Sequence, residues 1–476
     1  MKTVSKRIIS VILAAVIMLT AVVPSFAGFE DAAWELNWSK EYENGVILFP
    51  GSDNSEINVS WYYSEAGDGA VKVSALQNLT DCQTYTAECV EAPDGDYAYK
   101  ATVTGLEAGK TYFYQCTSGD FTSNVYSFKT DEDENTFSAA YMTDIHVSFN
   151  ENDENGIKNT SRTINTLASE IVDKHDVSLV LSAGDQASEG MEREYKGFSS
   201  VLAFKNIPVA TTIGNHDRKG TAYKTFTNLP NEQKNAISSS YVGENYWFTK
   251  GDVLFLVMDS NTGSGLDYSR FIKSAIKANP DAKWKVLMIH HDLYSGRIPR
   301  RESDNALLRM IWGPIADEYG IDLALLGHSH YYTVTNVLYN GKTVQPYASE
   351  MVDPAGTVYM VSGSINRPRD DEDIGLNEDW IGAWNTPDEQ QIYNIIDFTE
   401  ETLTVSSYYQ GEDAPFNSYT IKKTTNDGGH PKQLIPSVFD GIIRFVGTIY
   451  SFFNNMGVYS DLKEDGIEIG FFECVF

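Results

Sequence analysis

The chain has 476 residues, room for two or three domains of ordinary size, and its 42% hydrophobic and 12% aromatic content supports a substantial core. Its formal net charge of −30 argues against nucleic acid and against an anionic membrane surface as partners, because both are held by clustered Lys and Arg. A small phosphate ester remains open as a substrate, provided local positive charge captures it.

Residues 1–27 read as a signal peptide. Lys2, Lys6 and Arg7 form a basic start, Ile8 to Val23 an apolar stretch, and small residues surround Ala27 and Gly28. The apolar run falls short of the ~20 residues of a spanning helix, so the expectation is cleavage, export and no transmembrane span. The location this implies is secreted or extracellular, with cell-surface association left open. Cysteine is sparse: Cys82, Cys89, Cys116 and Cys474. They read as small thiols, or as one bridge among the first three, and their spacing makes no zinc site.

Residues 28–45 form an N-terminal extension. Over 46–130 the sequence predicts an all-β sandwich: "EINVSWYYSE", "VKVSALQN", "YTAECVEA", "DYAYKATVTGL", "TYFYQCTSG" and "NVYSFKT" are short, β-branched and aromatic, with turn residues between them. Trp61 is a core aromatic. "LEAGKTYFY" resembles the corner of fibronectin type III domains, where the Tyr112 hydroxyl would bond back to the main chain. An acidic connector, residues 131–136, leads to strand–helix alternation over 137–420, an α/β pattern. Expected strands are "TFSAAYMT", "VSLVLSAG", "IPVATTIG", "GDVLFLVMD", "KWKVLMIH" and "IDLALLG", then the strand-like "NIIDFTEETLTVSSYY". Expected helices are "IKNTSRTINTLASEIVDK", "REYKGFSSVLAFK" and "DNALLRMIWGPIADEY". Residues 421–476 form a tail. Ile435, Phe439, Ile442, Val446, Ile449 and Phe453 give it an amphipathic helix, which either docks on the body or contacts a surface or partner.

The chemistry sits at the strand ends. After successive apolar strands come Asp144 and His146, then Asp185, then Asn215, His216 and Asp217, then His290 and His291, then His328 and His330. Of the eight histidines, only His175 and His430 fall outside this set. Each motif alone has a bland reading as a helix cap, a turn or a surface histidine. Their joint occurrence after five strands does not. Carboxylate, amide and imidazole without thiolate suit Fe, Zn or Mn.

The ordered motifs "DIH", "GD", "GNHD", "IHH" and "GHSH" resemble the calcineurin-like metallophosphoesterase family. With the preceding β domain, the chain is similar in architecture to plant-type purple acid phosphatases from about Val46 to residue 420. The resemblance implies a layered α/β/β/α catalytic domain that binds two transition-metal ions. Asp144, His146 and His330 would hold one ion, and Asn215, His290 and His328 the other, with Asp185 bridging. His291 would contact the phosphate or support a ligand. His216 would stand near the leaving group, with Asp217 orienting its imidazole. The sequence departs from the purple enzymes at two ligand positions. His146 replaces a glycine, and Ser188 replaces the tyrosine whose charge transfer to ferric iron colours them.

The implied activity is metal-dependent hydrolysis of a phosphate ester, most simply a monoester. Two ions ~3.5–4 Å apart clamp the phosphoryl group and activate water, and His216 protonates the departing oxygen, a step typically worth ~10²–10⁴-fold. A phosphodiesterase or nucleotidase shares the same chemistry. A non-catalytic surface-binding protein would carry a broken ligand set, and this set is complete. Rim residues give no assignment: Arg218, Arg297, Arg300 and Arg301 read as solvated, and Tyr246, Trp247 and Tyr294 as packing aromatics.

Overall fold

The computed structural model describes residues 26–149, 153–234, 244–261, 265–294, 296, 304–367, 378–385 and 390–431. The expected signal peptide, the C-terminal amphipathic helix, Cys474 and Arg297, Arg300 and Arg301 lie outside these residues, apart from the last two positions of the signal segment.

The N-terminal extension, for which no element was expected, is helical up to Asn44. Helix α1 (Phe26–Asn44) buries Trp34 and Trp38, four residues apart on one side. Trp34 Nε1 donates to the Ser200 carbonyl at 3.0 Å, and Trp38 stacks on Tyr42. A large apolar side chain removed from water contributes roughly 1.5–3 kcal/mol, enough to fix a helix that is marginal in isolation.

Eight strands follow: β1 (Ile47–Pro50), β2 (Glu56–Tyr63), β3 (Gly69–Ser74), β4 (Gln83–Glu91), β5 (Tyr97–Thr104), β6 (Thr111–Ser118), β7 (Phe121–Thr122) and β8 (Tyr126–Lys129). Their order is β1-β2-β5-β4-β3-β6-β7, with β8 on β6. Strand β4 belongs to both halves: Gln83–Ala87 pairs with β3, and Glu88–Glu91 pairs with β5. The halves close over Val59, Trp61, Val71, Tyr99, Tyr114 and Phe128. Trp61 is fully buried and stacks on Tyr99 at 5.4 Å. The corner forms as expected, with the Glu107 N–H donating to the Tyr112 hydroxyl at 2.9 Å. Cys82, Cys89 and Cys116 are free thiols, so no bridge joins them.

The second domain stacks two seven-stranded sheets. The first contains β9 (Phe137–Met142), β10 (Val177–Ser182), β11 (Val209–Thr211), β19 (Glu350–Val352), β22 (Ile392–Phe398), β23 (Thr402–Tyr409) and β24 (Asn417–Lys422), in the order β11-β10-β9-β22-β23-β24-β19. The second contains β12 (Tyr246–Lys250), β13 (Val253–Val257), β14 (Trp284–Met288), β15 (Leu323–Leu326), β16 (Thr333–Thr335), β20 (Val358–Val361) and β21 (Ile381–Trp384), in the order β12-β13-β14-β15-β20-β16-β21. A hairpin of β17 (Val337–Tyr339) and β18 (Lys342–Gln345) stands apart. Strands β9, β10 and β11 are parallel, as are β13, β14, β15 and β20. Alternation in β13 shows the layering: Phe255 and Val257 face the first sheet, while Leu254 and Leu256 face the outer helices.

Helices α2 (Glu154–Lys174) and α3 (Glu192–Ser199) pack with the first sheet; α4 (Gly265–Ala278) and α5 (Asp304–Tyr319) cover the second. The apolar side expected of α2, Ile157, Ile164, Leu167 and Ile171, is buried. The helix expected over residues 193–205 breaks into α3 and a separate turn, Leu202–Lys205. Ser199 and Ser200 bond back to the Tyr195 and Gly197 carbonyls, which competes with helix continuation. Helix α4 has no counterpart among the expected elements.

The β domain is fastened to this body by buried polar contacts. Lys205 Nζ donates to the Val46 and Ser199 carbonyls and lies 3.4 Å from Glu41 of α1. Asn228 Nδ2 donates to the Val59 and Ala101 carbonyls.

Candidate metal centre

Strands β9, β10 and β11 of one sheet and β14 and β15 of the other deliver their C-terminal ends to one place. The residues there leave the extended conformation at once. Asp144 (φ 51°), His146 (49°), Asp185 (53°), His328 (73°) and His330 (65°) are all left-handed. Such positions cost ~1–3 kcal/mol each and cluster at functional sites. Two glycines explain part of the motif spelling. A Cβ on Gly214 would lie 2.1 Å from Asp185 Oδ1, and one on Gly327 would lie 2.1 Å from Thr143 Oγ1 and 2.7 Å from Asp144 Oδ2.

Three groups of ligand atoms converge within 4.8 Å: Asp144, His146 and His330; Asp185, His290 and His328; and His146, Asp185 and His216. His146 Nε2 and His330 Nε2 are 3.2 Å apart. Asp185 Oδ2 lies 3.7 Å from His146 Nε2 and 3.3 Å from His290 Nε2. Asn215 Oδ1 lies 3.1 Å from His290 Nε2. His291 stands beside His328, ring centroids 4.5 Å apart, with its Nδ1 2.9 Å from Ser260 Oγ.

Main-chain carbonyls set the imidazoles. His290 Nδ1 donates to the Ala183 carbonyl at 2.9 Å, and His330 Nδ1 to the Arg367 carbonyl at 2.8 Å. Each bond places a proton on Nδ1 and turns Nε2 towards the cluster. Asp144 Oδ2 accepts from the His328 N–H and from Thr143 Oγ1. Its Oδ1 is buried without a hydrogen-bond donor, 3.2 Å from His330 Nε2. A carboxylate oxygen left bare beside converging imidazole Nε2 atoms fits a cation.

Electrostatics agree with this fit. Burial pushes the His146 pKa down to about 3, so its ring is neutral and able to ligate. Burial acts the same way on His290, but Asp185 outweighs it and holds His290 up at about 10. Burial alone would raise Asp144, yet His330 brings it below the ordinary carboxylate value.

Asp217 departs from its expected role. Its carboxylate does not orient His216. It accepts from the Gly214 and Ala187 N–H groups and from the Tyr195 hydroxyl, at 2.8, 3.0 and 2.9 Å. Burial, with Asp185 adding to it, raises its pKa to about 7. The reason is local: the short helical turn beginning at Asp217 points its carboxylate back under the "GNHD" loop, where buried amides need an acceptor. His216 Nδ1 instead meets the Ser188 carbonyl at 2.8 Å and Lys219 Nζ at 2.9 Å. Neither partner is legible in the motif, because one is main chain and the other is an ordinary surface residue type. Arg218 is committed to Glu244 and Asp259, and Tyr246 and Tyr294 are buried packing residues.

The calcineurin-like phosphoesterase family profile matches residues 138–332, and the profile of the purple acid phosphatase N-terminal domain matches residues 43–130. The chain carries a calcineurin-like phosphoesterase domain preceded by a purple acid phosphatase N-terminal domain. This phosphoesterase is 22% identical to purple acid phosphatase 23 of Arabidopsis thaliana over 362 residues, which cover 66% of the chain and 72% of the relative. It is 26% identical over 159 residues to a probable cyclic nucleotide phosphodiesterase of Rhodopseudomonas palustris, covering 33% of the chain and 57% of that relative. Among solved structures, its fold is similar to a purple acid phosphatase from yellow lupin seeds (TM-score 0.63, 16% identity, 80% of this chain and 75% of that one). It is also similar to PhoD (TM-score 0.51, 14% identity, 87% and 97%). The phosphoesterase is thus a metal-dependent phosphoester hydrolase, of a dinuclear metal-binding family, with an N-terminal β-rich domain before the α/β domain. Among the described residues no helix is long and apolar enough to cross a membrane.

Proposed function

We propose that the protein is an exported dinuclear-metal phosphomonoesterase. One observation carries this reading: a single oxygen, Asp185 Oδ2, faces both His146 and His290, which belong to different ligand groups. That is the position of a bridging carboxylate. Asp144, His146 and His330 would hold one ion, Asn215, His290 and His328 the other, and Asp185 both. Fe, Zn or Mn suits these donors, and Ser188 in place of a tyrosine supports a colourless centre.

Two bound ions supply Lewis-acid polarisation of the phosphoryl group and a water acidic enough to react near neutral pH. The chain does the rest. Carbonyls of Ala183 and Arg367 aim two imidazoles, and the Asp217 carboxylate ties the "GD" loop to the "GNHD" loop through Ala187 and Gly214. His216, edge-on to His146 at 4.6 Å, would give a proton to the departing oxygen. His291, whose ring lies 4.5 Å from that of His328, would contact the phosphate or support a ligand.

The relative named as a probable cyclic nucleotide phosphodiesterase favours a second reading, hydrolysis of a diester. One experiment separates them: count metals in the purified full-length protein and compare hydrolysis of a phosphate monoester and a diester across pH. Two ions per chain and faster monoester turnover are expected. No hydrolysis of either ester by metal-replete protein overturns the proposal.

A further inference from the structure

A second loop, residues 364–367 shortly after β20, is bonded to the "DIH" loop along its length. The Ile365 N–H and the Ser364 hydroxyl both donate to the Asp144 carbonyl, at 3.3 and 2.6 Å, and Asn366 Nδ2 donates to the Ile145 carbonyl at 2.7 Å. Ser364 Oγ in turn accepts from the Arg367 N–H at 3.0 Å. The Arg367 carbonyl then meets His330 Nδ1 at 2.8 Å. The main chain of Arg367 is therefore fixed beside the Asp144, His146 and His330 group.

Its side chain reaches back to the chain just beyond His146. The guanidinium lies 4.2 Å from the centre of the Phe149 ring, and that ring stands 5.9 Å from the His146 ring. Phe149 and Arg367 are partly exposed, whereas Asp144 and His146 are fully buried, so the pair marks the solvent edge of this ligand group. An exposed arginine samples many rotamers; stacking on an aromatic face and a fixed main chain both reduce that freedom. A guanidinium is always charged, and its planar fork of N–H donors matches the oxygens of a phosphate. In a chain of net charge −30, it supplies the local positive charge that capture of a phosphate ester requires.

We propose that Arg367 is a substrate-binding residue: it takes non-bridging oxygens of the phosphoryl group on the side of Asp144, His146 and His330, with Phe149 as the platform that positions it. This favours a monoester. A monoester dianion has one more non-bridging oxygen than a diester, which carries an ester oxygen and its carbon chain there. The ester preference rests on the function proposed above; binding of the phosphate group itself is measurable without turnover.

The test uses full-length, zinc-loaded protein and the variants Arg367→Met, Arg367→Lys and Phe149→Leu. His330 meets the main-chain carbonyl of residue 367, so all three variants are expected to keep their metal in elemental analysis. Orthophosphate binding, read by titration calorimetry, is expected to weaken on the order of 10-fold or more in Arg367→Met, the loss of one charge-assisted contact, and less in Arg367→Lys and Phe149→Leu. For Arg367→Met, kcat/KM on a phosphate monoester is expected to fall by a similar factor, and on a diester much less. Unchanged orthophosphate affinity, or loss of metal from Arg367→Met, overturns the proposal, and an equal loss on both esters overturns the monoester preference. If orthophosphate binding depends on Arg367 but wild type hydrolyses no ester, the functional reading fails and the phosphate contact stands.

Discussion

His146 and His330 bring their Nε2 atoms to 3.2 Å across the seam between two sheets, one ring following β9 and the other β15. Burial keeps the His146 ring neutral, and the carbonyl of Arg367 holds the His330 proton on the far nitrogen. The two Nε2 atoms converge with the bare Oδ1 of Asp144, 3.2 Å from His330 Nε2, an arrangement that suits a shared cation. His330→Ala is expected to leave one metal ion of two in elemental analysis, and chelation of the wild type to lower Tm. A Tm that does not respond to metal would show that the cluster is not a metal site.

Asp185→Asn removes the charge shared by the two ligand groups. Metal content is expected to fall towards zero, with the fold retained by circular dichroism. Because Asp185 outweighs burial and lifts the His290 pKa to about 10, an ion binding at His290 must displace a proton. Metal loading is thus expected to release protons at neutral pH, measurable by titration calorimetry in buffers of different ionisation enthalpy.

His216→Ala is expected to keep both metals and to lose ~10²–10⁴-fold in kcat. Full activity in that variant would remove His216 from the mechanism. Asp217→Asn separates loop anchoring from acid chemistry. One carboxylate oxygen becomes a donor that faces amide hydrogens, so a stability loss of about 1–3 kcal/mol is expected in urea unfolding.

At the opposite end of β15, Asp322 is fully buried, with Lys423 at 2.8 Å and His430 at 3.2 Å. Burial alone would raise its pKa, but Lys423 outweighs burial and brings it to about 2. A carboxylate whose folded pKa is depressed adds stability that is present above its unfolded pKa near 4 and lost as pH falls through 2. The size is about 2 kcal/mol. Asp322→Asn is expected to flatten the stability profile over that window. At neutral pH it should cost roughly 3–5 kcal/mol, because it strands Lys423. Asp322→Asn combined with Lys423→Met should recover part of that loss.

Much of the architecture was legible in the chain. β-branched runs at short spacing marked the N-terminal strands, and period-2 and period-3.6 patterns marked the α/β core. The elements without a signal are instructive. Helix α1 shows only two tryptophans and a tyrosine at helical spacing, and its partners lie more than 100 residues away in α2 and α3. The break after α3 depends on two serine hydroxyls turning back to carbonyls, a choice that helix periodicity does not record.

By itself the sequence determined which residue types stand at the strand ends, and so the chemistry. Imidazoles, carboxylates and one amide follow apolar strands in an order that points to a two-metal phosphoesterase, with Ser188 and His146 marking its departure from the purple enzymes. Only the tertiary structure decided how those side chains are held. Proton placement on His290 and His330 comes from the Ala183 and Arg367 carbonyls, and Asp217 turns away from His216 to serve buried amides. The orientation of His216 falls to Ser188 and Lys219. Every chain position has a carbonyl and an N–H, so no residue letter reports which of them a side chain will meet. That is set by where the two sheets bring their ends together.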